Sequence, residues 1–171
     1  MKTEAVVYTS NTGYTRQYAQ LLGERTGLPV YSLEEAQRAL PSGSSVLYLG
    51  WLMAGTVKGY GKAAKRFCIQ AVCAVGMGAA GSQLKEVRKS NALPDTLPLF
   101  TLQGGFDSSR LRGVYKLMMN VMAKTLGKQL EQKPDRTAEE SDMLDLLRNG
   151  GSRVRAEALD GVLNWYEEVC A

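Results

Sequence analysis

A polar loop near the start of the chain carries the residue types best suited to chemistry. It joins a short apolar run to an amphipathic stretch, and its residues are Thr9, Ser10, Asn11, Thr12, Gly13, Tyr14 and Thr15. Its hydroxyl groups, an amide and a glycine meet at the start of a predicted helix, where free backbone N–H groups and the helix dipole favour an anion. Gly13 lets the backbone close tightly, because glycine tolerates φ values that other residues resist. The loop therefore predicts a phosphate site; the alternative is a well-capped helix without a ligand.

The absence of charged side chains in this loop limits the class of phosphate ligand that we expect. A nucleoside triphosphate site of the GxxxxGK[ST] type uses a lysine that reaches the β- and γ-phosphates. Residues 9–15 include neither lysine nor arginine. We therefore expect an uncharged cradle that holds one phosphate ester.

Two further glycine-bearing segments follow predicted strands. The first is Trp51, Leu52, Met53, Ala54 and Gly55, and the second begins Gly76, Met77 and Gly78. Open α/β sheets bind ligands outside the carboxyl ends of their strands, so we expect both segments to line the same site as the first loop. Trp51 either stacks on a flat ligand or packs in the core, and Met77 either covers the ligand or packs in the core. Lys58 is either close to the ligand or solvated.

The last predicted strand ends in Gln103-Gly104-Gly105-Phe106-Asp107. Two glycines at a strand end permit a close backbone approach to a ligand, and a plain turn explains them equally well. Asp107 is the one carboxylate placed to act near the site, although a role as helix N-cap explains it too. We assign no catalytic residue.

Several kinds of site are excluded by what the chain lacks. It contains no histidine, which removes the commonest general base and most zinc sites, and we expect no metal. Cys68, Cys73 and Cys170 are odd in number and form no CxxC pair, so we interpret them as buried thiols. Demanding chemistry would then need a cofactor. A net charge of +4, without a basic block interleaved with aromatics, gives no reason to expect nucleic-acid binding.

The elements that must position these loops alternate between apolar runs and amphipathic stretches, which is typical of a βαβ protein with a parallel sheet. The predicted strands are residues 5–8, 29–32, 45–50, 70–75 and 99–103. The predicted helices are residues 14–25, 33–40, 62–67, 83–89, 111–126, 137–149 and 156–169. We expect one domain over residues 1–171, with a helical extension at about 129–155 and an exposed link at 129–136.

The longest predicted helix repeats apolar residues at helical spacing: Leu111, Val114, Tyr115, Met118, Val121 and Met122. This pattern predicts that the methionine-rich face packs in the core. A surface that docks on a membrane or on a partner is the alternative.

The residues Thr12-Gly13-x-Thr15 resemble the phosphate-binding fingerprint of the flavodoxin family, and the order of elements is similar over nearly the whole chain. The resemblance implies a flavodoxin-like three-layer α/β/α sandwich with a five-stranded parallel sheet of order 2-1-3-4-5 and extra C-terminal helices. It also implies FMN as the cofactor. Its phosphate would lie on residues 10–15, Trp51 and Gly55 would face the isoalloxazine ring, and residues 76–78 would follow the pyrimidine side.

Within that family the chain looks nearest to the flavodoxin-like protoporphyrinogen dehydrogenase branch. The likeness rests on a long amphipathic helix around residues 117–122 and on Trp165 in the last helix. It implies a quinone-linked oxidation. The chain departs from the branch at Leu52-Met53-Ala54-Gly55, where a basic aromatic pattern is usual, and the third loop lacks the stacked tyrosine of many flavodoxins. The substrate of the branch is therefore not carried over.

Two functions of different class follow from these observations. The first is an FMN-binding redox protein, either an electron carrier or a small oxidoreductase, whose partner is a redox protein or a quinone-like small molecule. The second is a flavin-free, flavodoxin-shaped interaction module. No apolar run approaches the ~18 residues of a membrane span, and residues 1–4 show no signal-peptide layout. We therefore expect a cytoplasmic protein, with peripheral membrane contact kept as an alternative.

Overall fold

The computed structural model describes residues 2–169 of the chain. The strands are β1 (Ala5–Thr9), β2 (Val30–Ser32), β3 (Ser45–Met53), β4 (Thr56–Val57), β5 (Cys68–Gly76), β6 (Leu99–Gln103), β7 (Gly105–Phe106) and β8 (Gly151–Ser152). The helices are α1 (Tyr14–Thr26), α2 (Leu33–Ala39), α3 (Tyr60–Arg66), α4 (Leu84–Ser90), α5 (Gly113–Gln132), α6 (Ala138–Asn149) and α7 (Asp160–Val169), with a 3₁₀ turn at Ala156–Leu159.

Five strands form a parallel sheet in the order β2-β1-β3-β5-β6. The short strand β4 pairs only with the end of β3, in antiparallel direction, and lies off this path. When β4 is set aside, the order is the predicted 2-1-3-4-5. The strand order reverses between β1 and β3, so the ligand edge of such a sheet lies at their carboxyl ends.

Helices cover both faces of the sheet, which gives three layers. Successive residues of β3 point to opposite sides: Val46 and Tyr48 join the cluster under α2, α3 and α4, whereas Leu47 and Leu49 join the cluster under α1 and α7. Because both faces of the sheet are buried, the sequence of β3 is a nearly continuous apolar run. The fold is a flavodoxin-like α/β/α sandwich with additional C-terminal helices, as predicted.

The predicted boundary after the third strand was wrong. Trp51, Leu52 and Met53 continue β3 instead of forming a loop, and Ala54 and Gly55 are the two turn residues of a hairpin with β4. Both turn residues have positive φ, 48° and 76°, which is the geometry of a tight hairpin turn that matches strand twist.

The C-terminal helices also differ from the prediction. Helix α5 runs to Gln132, so the first part of the expected link at 129–136 is helical. Helix α6 begins at a capping box: the Thr137 hydroxyl accepts from the Glu140 N–H at 3.1 Å, and the Glu140 carboxylate accepts from the Thr137 N–H at 2.9 Å. In α7, Val162 is buried, whereas Val169 is exposed.

Helix α5 does not bury the face that the apolar spacing predicted. Leu111, which precedes it, is buried and Met122 is half-buried, but Val114, Met118 and Val121 are exposed. The side that packs inward carries Met119 and Met122. Apolar residues lie on both sides of this helix, and periodicity by itself does not say which side meets the core. No helix among residues 2–169 is long and apolar enough to cross a membrane.

Of the cysteines predicted to be buried, one is fully buried among the described residues. Cys73 is buried and Cys68 is half-buried, and both thiols are free. Burial raises the pKa of the Cys73 thiol to about 12. Cys170 lies outside the described residues.

Candidate functional site

A cavity of about 210 Å³ opens at the carboxyl edge of the sheet, where β1, β3 and β5 end. Most of the predicted site residues line it: Asn11, Thr12, Tyr14, Thr15, Trp51, Leu52, Ala54, Gly55, Gly76, Met77 and Gly78. The predicted residues Thr9, Ser10, Gly13 and Met53 lie outside the lining. Segments far apart in the chain thus converge on one cavity beside the point where the strand order reverses.

The first loop leaves the start of α1 open to a ligand. Gly13 is the N-cap residue. Its φ is 101°, a value that residues other than glycine rarely adopt. Glycine offers no side chain to accept the N–H groups of the first helical turn. Ser10 shapes the loop by accepting a hydrogen bond from the Gly13 N–H at 3.2 Å. The helix dipole and these amides favour an anion at this position.

The side chain of Asn11 adds an unused donor to the same place. Its Nδ2 atom is buried and finds no hydrogen-bond partner among residues 2–169. A buried amide without an acceptor costs free energy, and native structures leave few of them. Asn11 also lines the cavity, so a rotation of its side chain would let an acceptor atom of a ligand there satisfy this donor.

Arg110 brings a positive charge to this loop that sequence reasoning missed. Its Nη1 atom donates a hydrogen bond to the Thr12 carbonyl oxygen at 3.2 Å, and its Nε atom lies 3.0 Å from an Asp107 carboxylate oxygen. Residues 9–15 carry no charge of their own, but the ion pair of Arg110 and Asp107 lies beside them. The two segments are 98 residues apart, and only the folded chain brings them together.

Asp107 does not act as a helix cap, because Arg112 is the N-cap residue of α5. Its carboxylate accepts hydrogen bonds from the Ser109 N–H at 2.9 Å and from the Ser109 hydroxyl at 2.5 Å. The Ser109 hydroxyl and the Arg110 guanidinium hold the pKa of this carboxyl below its usual range. Asp107 stays ionised near neutral pH and is not suited to general acid chemistry there.

Thr9 ties the first two loops together instead of lining the cavity. Tyr48 is buried, and its hydroxyl donates its one proton to the Lys58 carbonyl oxygen at 2.7 Å. The same hydroxyl therefore accepts a hydrogen bond from the Thr9 hydroxyl at 2.8 Å. Burial raises the pKa of Tyr48. The chain passes over this pair at Gly59, where an added Cβ would lie 2.2 Å from the Tyr48 hydroxyl.

The hairpin that carries Ala54 and Gly55 is held by a residue that the sequence did not single out. Asn91 follows α4; its Nδ2 atom donates to the Gly55 carbonyl oxygen and its Oδ1 atom accepts from the Val57 N–H, each at 2.8 Å. These bonds fix the backbone of the turn at the rim of the cavity.

Trp51 lines the cavity and also contacts α5. Its ring meets the ring of Tyr115 edge-on, with 5.3 Å between centroids. The Lys58 ammonium lies 6.0 Å from the Trp51 ring and 5.5 Å from the Tyr115 ring, outside the cavity lining. Such contacts are favourable because the face of an aromatic ring attracts cations. We refer to these three residues as the aromatic latch.

The roof of the cavity is apolar and comes from the C-terminal helices. It consists of Leu111, Met119, Met122, Leu126 and Met143. Methionine side chains are flexible and polarisable, so they adapt to the shape of a ligand. The third loop beneath them is held by Gln103, whose side chain donates to the Met77 carbonyl oxygen at 3.1 Å and to Asp142 at 2.8 Å.

Residues 2–169 bring together no group of three or more metal-ligating side chains that could hold an ion. No protein-family model, curated protein or solved structure matches the chain. The site is therefore interpreted from its own geometry.

Proposed function

We propose that this domain binds FMN at the cavity and acts as a redox protein, either as an electron carrier or as a small oxidoreductase. The observation that carries the proposal is the convergence of three loops on one cavity next to an open helix N-terminus. That N-terminus presents free amides, the unpaired Asn11 donor and the Arg110 charge, which together suit a phosphate ester.

The size and polarity of the cavity bear on the rest of the cofactor. The side chains of Trp51, Leu52, Met77, Met119 and Met122 provide an apolar surface for a flat ring. Small-molecule pockets begin at roughly 300 Å³, so a volume of about 210 Å³ requires the methionine roof to move or part of the ring to stay exposed. Methionine side chains are flexible, so that movement costs little free energy.

The chain's own residues have separate tasks in this proposal. When bound, FMN would supply the electron transfer itself, which the side chains cannot perform. Asn11 and the amides of α1 would hold the phosphate, and Arg110 would offset its charge. Trp51 and the methionine roof would exclude water from the ring and position it at the strand ends.

The nature of the reaction partner is a further part of the proposal. An apolar roof next to the ring suits a quinone-like small molecule, and an exposed ring edge suits a redox partner protein. The resemblance to the protoporphyrinogen dehydrogenase branch supports the first of these, although its substrate is not transferred. A cytoplasmic location and a place in the FMN-binding flavodoxin family stay predictions.

The spectrum of the purified protein separates the proposal from its alternative. A preparation that is yellow, or that gains an absorption band at about 450 nm when FMN is added and the excess removed, supports a flavoprotein. A colourless protein that ignores added FMN supports the interaction module instead. The enzyme version needs a separate assay: protoporphyrinogen with a quinone should turn over above the flavin-free control, and absence of turnover rejects that version only.

The phosphate cradle is tested by the variant Thr12→Val. This change should weaken FMN binding by about 1–3 kcal/mol, the cost of losing a hydrogen bond to a charged group. Fluorescence titration of FMN measures the change. Thr96→Val, in the exposed segment before β6, is the matched control and should leave the affinity unchanged. Equal affinity for both variants would mean that the phosphate lies elsewhere.

A further inference from the structure

The outer side of α5 exposes an apolar stripe. Val114, Leu117, Met118 and Val121 are 70%, 68%, 49% and 58% exposed. Their spacing of three and four residues places them on one side of the helix, whereas Met119 and Met122 face the cavity. Among residues 2–169 the remaining large exposed apolar side chains are Tyr115, also on α5, with Leu84 and Val169. The exposed apolar surface is therefore concentrated on one helix.

Within the segment that carries this stripe, from residue 108 to residue 130, all charged side chains have one sign. Residues 108–130 contain no aspartate or glutamate. The basic residues of this segment are Arg110, Arg112, Lys116, Lys124 and Lys128. Arg112 and the three lysines are exposed, and they lie beside the stripe or at its ends. A helix with an apolar side and flanking lysines has the character of one that lies in the interface of an anionic lipid surface.

We propose that α5 docks this domain on an anionic membrane surface, with the stripe of Val114, Leu117, Met118 and Val121 inserted among the lipid headgroups. The positive segment attracts the anionic headgroups, and the apolar side chains then leave water. The stripe lies on the convex outer side of a helix, which a deformable lipid interface accepts without a complementary groove. Lipid is therefore favoured over an acidic protein partner.

Docking in this orientation turns one side of α5 to lipid while its other side roofs the cavity. Met119 and Met122 lie one residue from members of the stripe. An apolar molecule dissolved in the membrane would then meet the roof without crossing bulk water. This inference concerns a surface and does not depend on the identity of the cofactor.

Vesicle flotation of the full chain tests the proposal. Vesicles of equal parts phosphatidylglycerol and phosphatidylcholine should carry the protein, whereas pure phosphatidylcholine vesicles should carry much less. Raising the salt to about 0.5 M should release part of it, because screening weakens attraction to the surface. The double variant Leu117→Gln and Val121→Gln should reduce binding about tenfold or more, since less apolar surface leaves water.

The matched control is the double variant Leu84→Gln and Val169→Gln, which changes one leucine and one valine that are exposed outside α5. It should bind like the unaltered chain, and thermal melting should show that both double variants are folded. Equal loss in both double variants, equal binding to neutral vesicles, or no vesicle binding at all would overturn the proposal. So would a dimer of the unaltered chain that Leu117→Gln and Val121→Gln dissociate, since a second copy would then cover the stripe.

Discussion

At the residue scale, Asn11 and Arg110 decide what the first loop can hold. The amide of Asn11 is buried without an acceptor, and the guanidinium of Arg110 touches the Thr12 carbonyl. Both are donors, and the helix dipole adds to them. These donors favour an acceptor with negative charge, which is what the proposed phosphate ester would provide.

Arg110→Gln gives a test of this electrostatic role. The change removes the positive charge and leaves Asp107 unneutralised beside the cavity, so FMN affinity should fall about two- to fivefold, the size of a solvent-screened charge interaction. Riboflavin, which lacks the phosphate, should bind the variant and the unaltered chain equally. Titrations of both ligands at low and high salt measure the difference, which should shrink as salt screens the charge.

Arg112→Gln is the control for this substitution, because it removes the same charge two residues away, from a side chain that makes no hydrogen bond to the first loop among the described residues. If Arg112→Gln weakens FMN binding as much as Arg110→Gln does, the effect is one of net charge. An equal loss of riboflavin affinity would show that Arg110 positions the ring instead of attracting the phosphate.

At the element scale, α5 has a double role because it is apolar on two sides. It packs against α6 and roofs the cavity with methionines, yet it has few buried residues over its length: Met119, Gly127 and Leu130. A helix with so little buried surface depends on local contacts at its ends. The aromatic latch of Trp51, Tyr115 and Lys58 supplies such a contact near its N-terminus.

Tyr115→Ala should therefore loosen the first half of α5 over the cavity. Loss of the ring removes the edge-on contact with Trp51 and one of the two cation–aromatic contacts of Lys58. Amide hydrogen exchange in the first turns of α5 should therefore accelerate about tenfold. Exchange mass spectrometry on the full chain measures this. Val114→Ala, at the neighbouring exposed position, should leave the rates unchanged. Equal acceleration by both would contradict a specific role of the latch, because alanine favours the helix and does not accelerate exchange through propensity.

At the scale of the whole molecule, titratable groups set the pH range of stability. Burial raises the pKa of Tyr18, Tyr48 and Cys73 above their ordinary values of 10.0 for tyrosine and 9.0 for cysteine. Hydrogen bonds from Ser109 and from Lys133 lower the pKa of Asp107 and Glu140 below 3.8 and 4.5. A group whose pKa is raised stabilises the fold below its ordinary pKa, and this contribution to stability is lost as the pH rises. A group whose pKa is lowered stabilises the fold above its ordinary pKa, and this contribution is lost as the pH falls.

The free energy of unfolding should therefore be nearly constant between about pH 5 and pH 9 and decline on either side. The alkaline decline should be the steeper one, because Tyr48 and Cys73 are buried whereas Asp107 and Glu140 are near solvent. Urea unfolding at a series of pH values measures it. In Cys73→Ala the alkaline decline should begin at higher pH than in the unaltered chain. Constant stability to pH 11 in both would contradict this account.

The positions of elements and loops followed from the sequence because their causes are local. Apolar runs long enough for strands, the Thr137 capping box and the first loop each depend on residues close together in the chain. Parallel βαβ connections then bring the strand ends to one edge. For this reason most of the predicted site residues were found together at the cavity. Of the four exceptions, Thr9 and Ser10 have side chains that hold the loops themselves.

Only the tertiary structure decided the features that depend on how distant segments meet. Arg110 reaches Thr12 across 98 residues, and Asn91 holds a hairpin 36 residues away. The inward side of α5 was decided in the same way, because both of its sides are apolar and the docking of α6 and the strand ends selects one. Composition and periodicity describe each segment by itself. The ion pair beside the cradle and the roof of the cavity arise from contacts that form only when the chain folds.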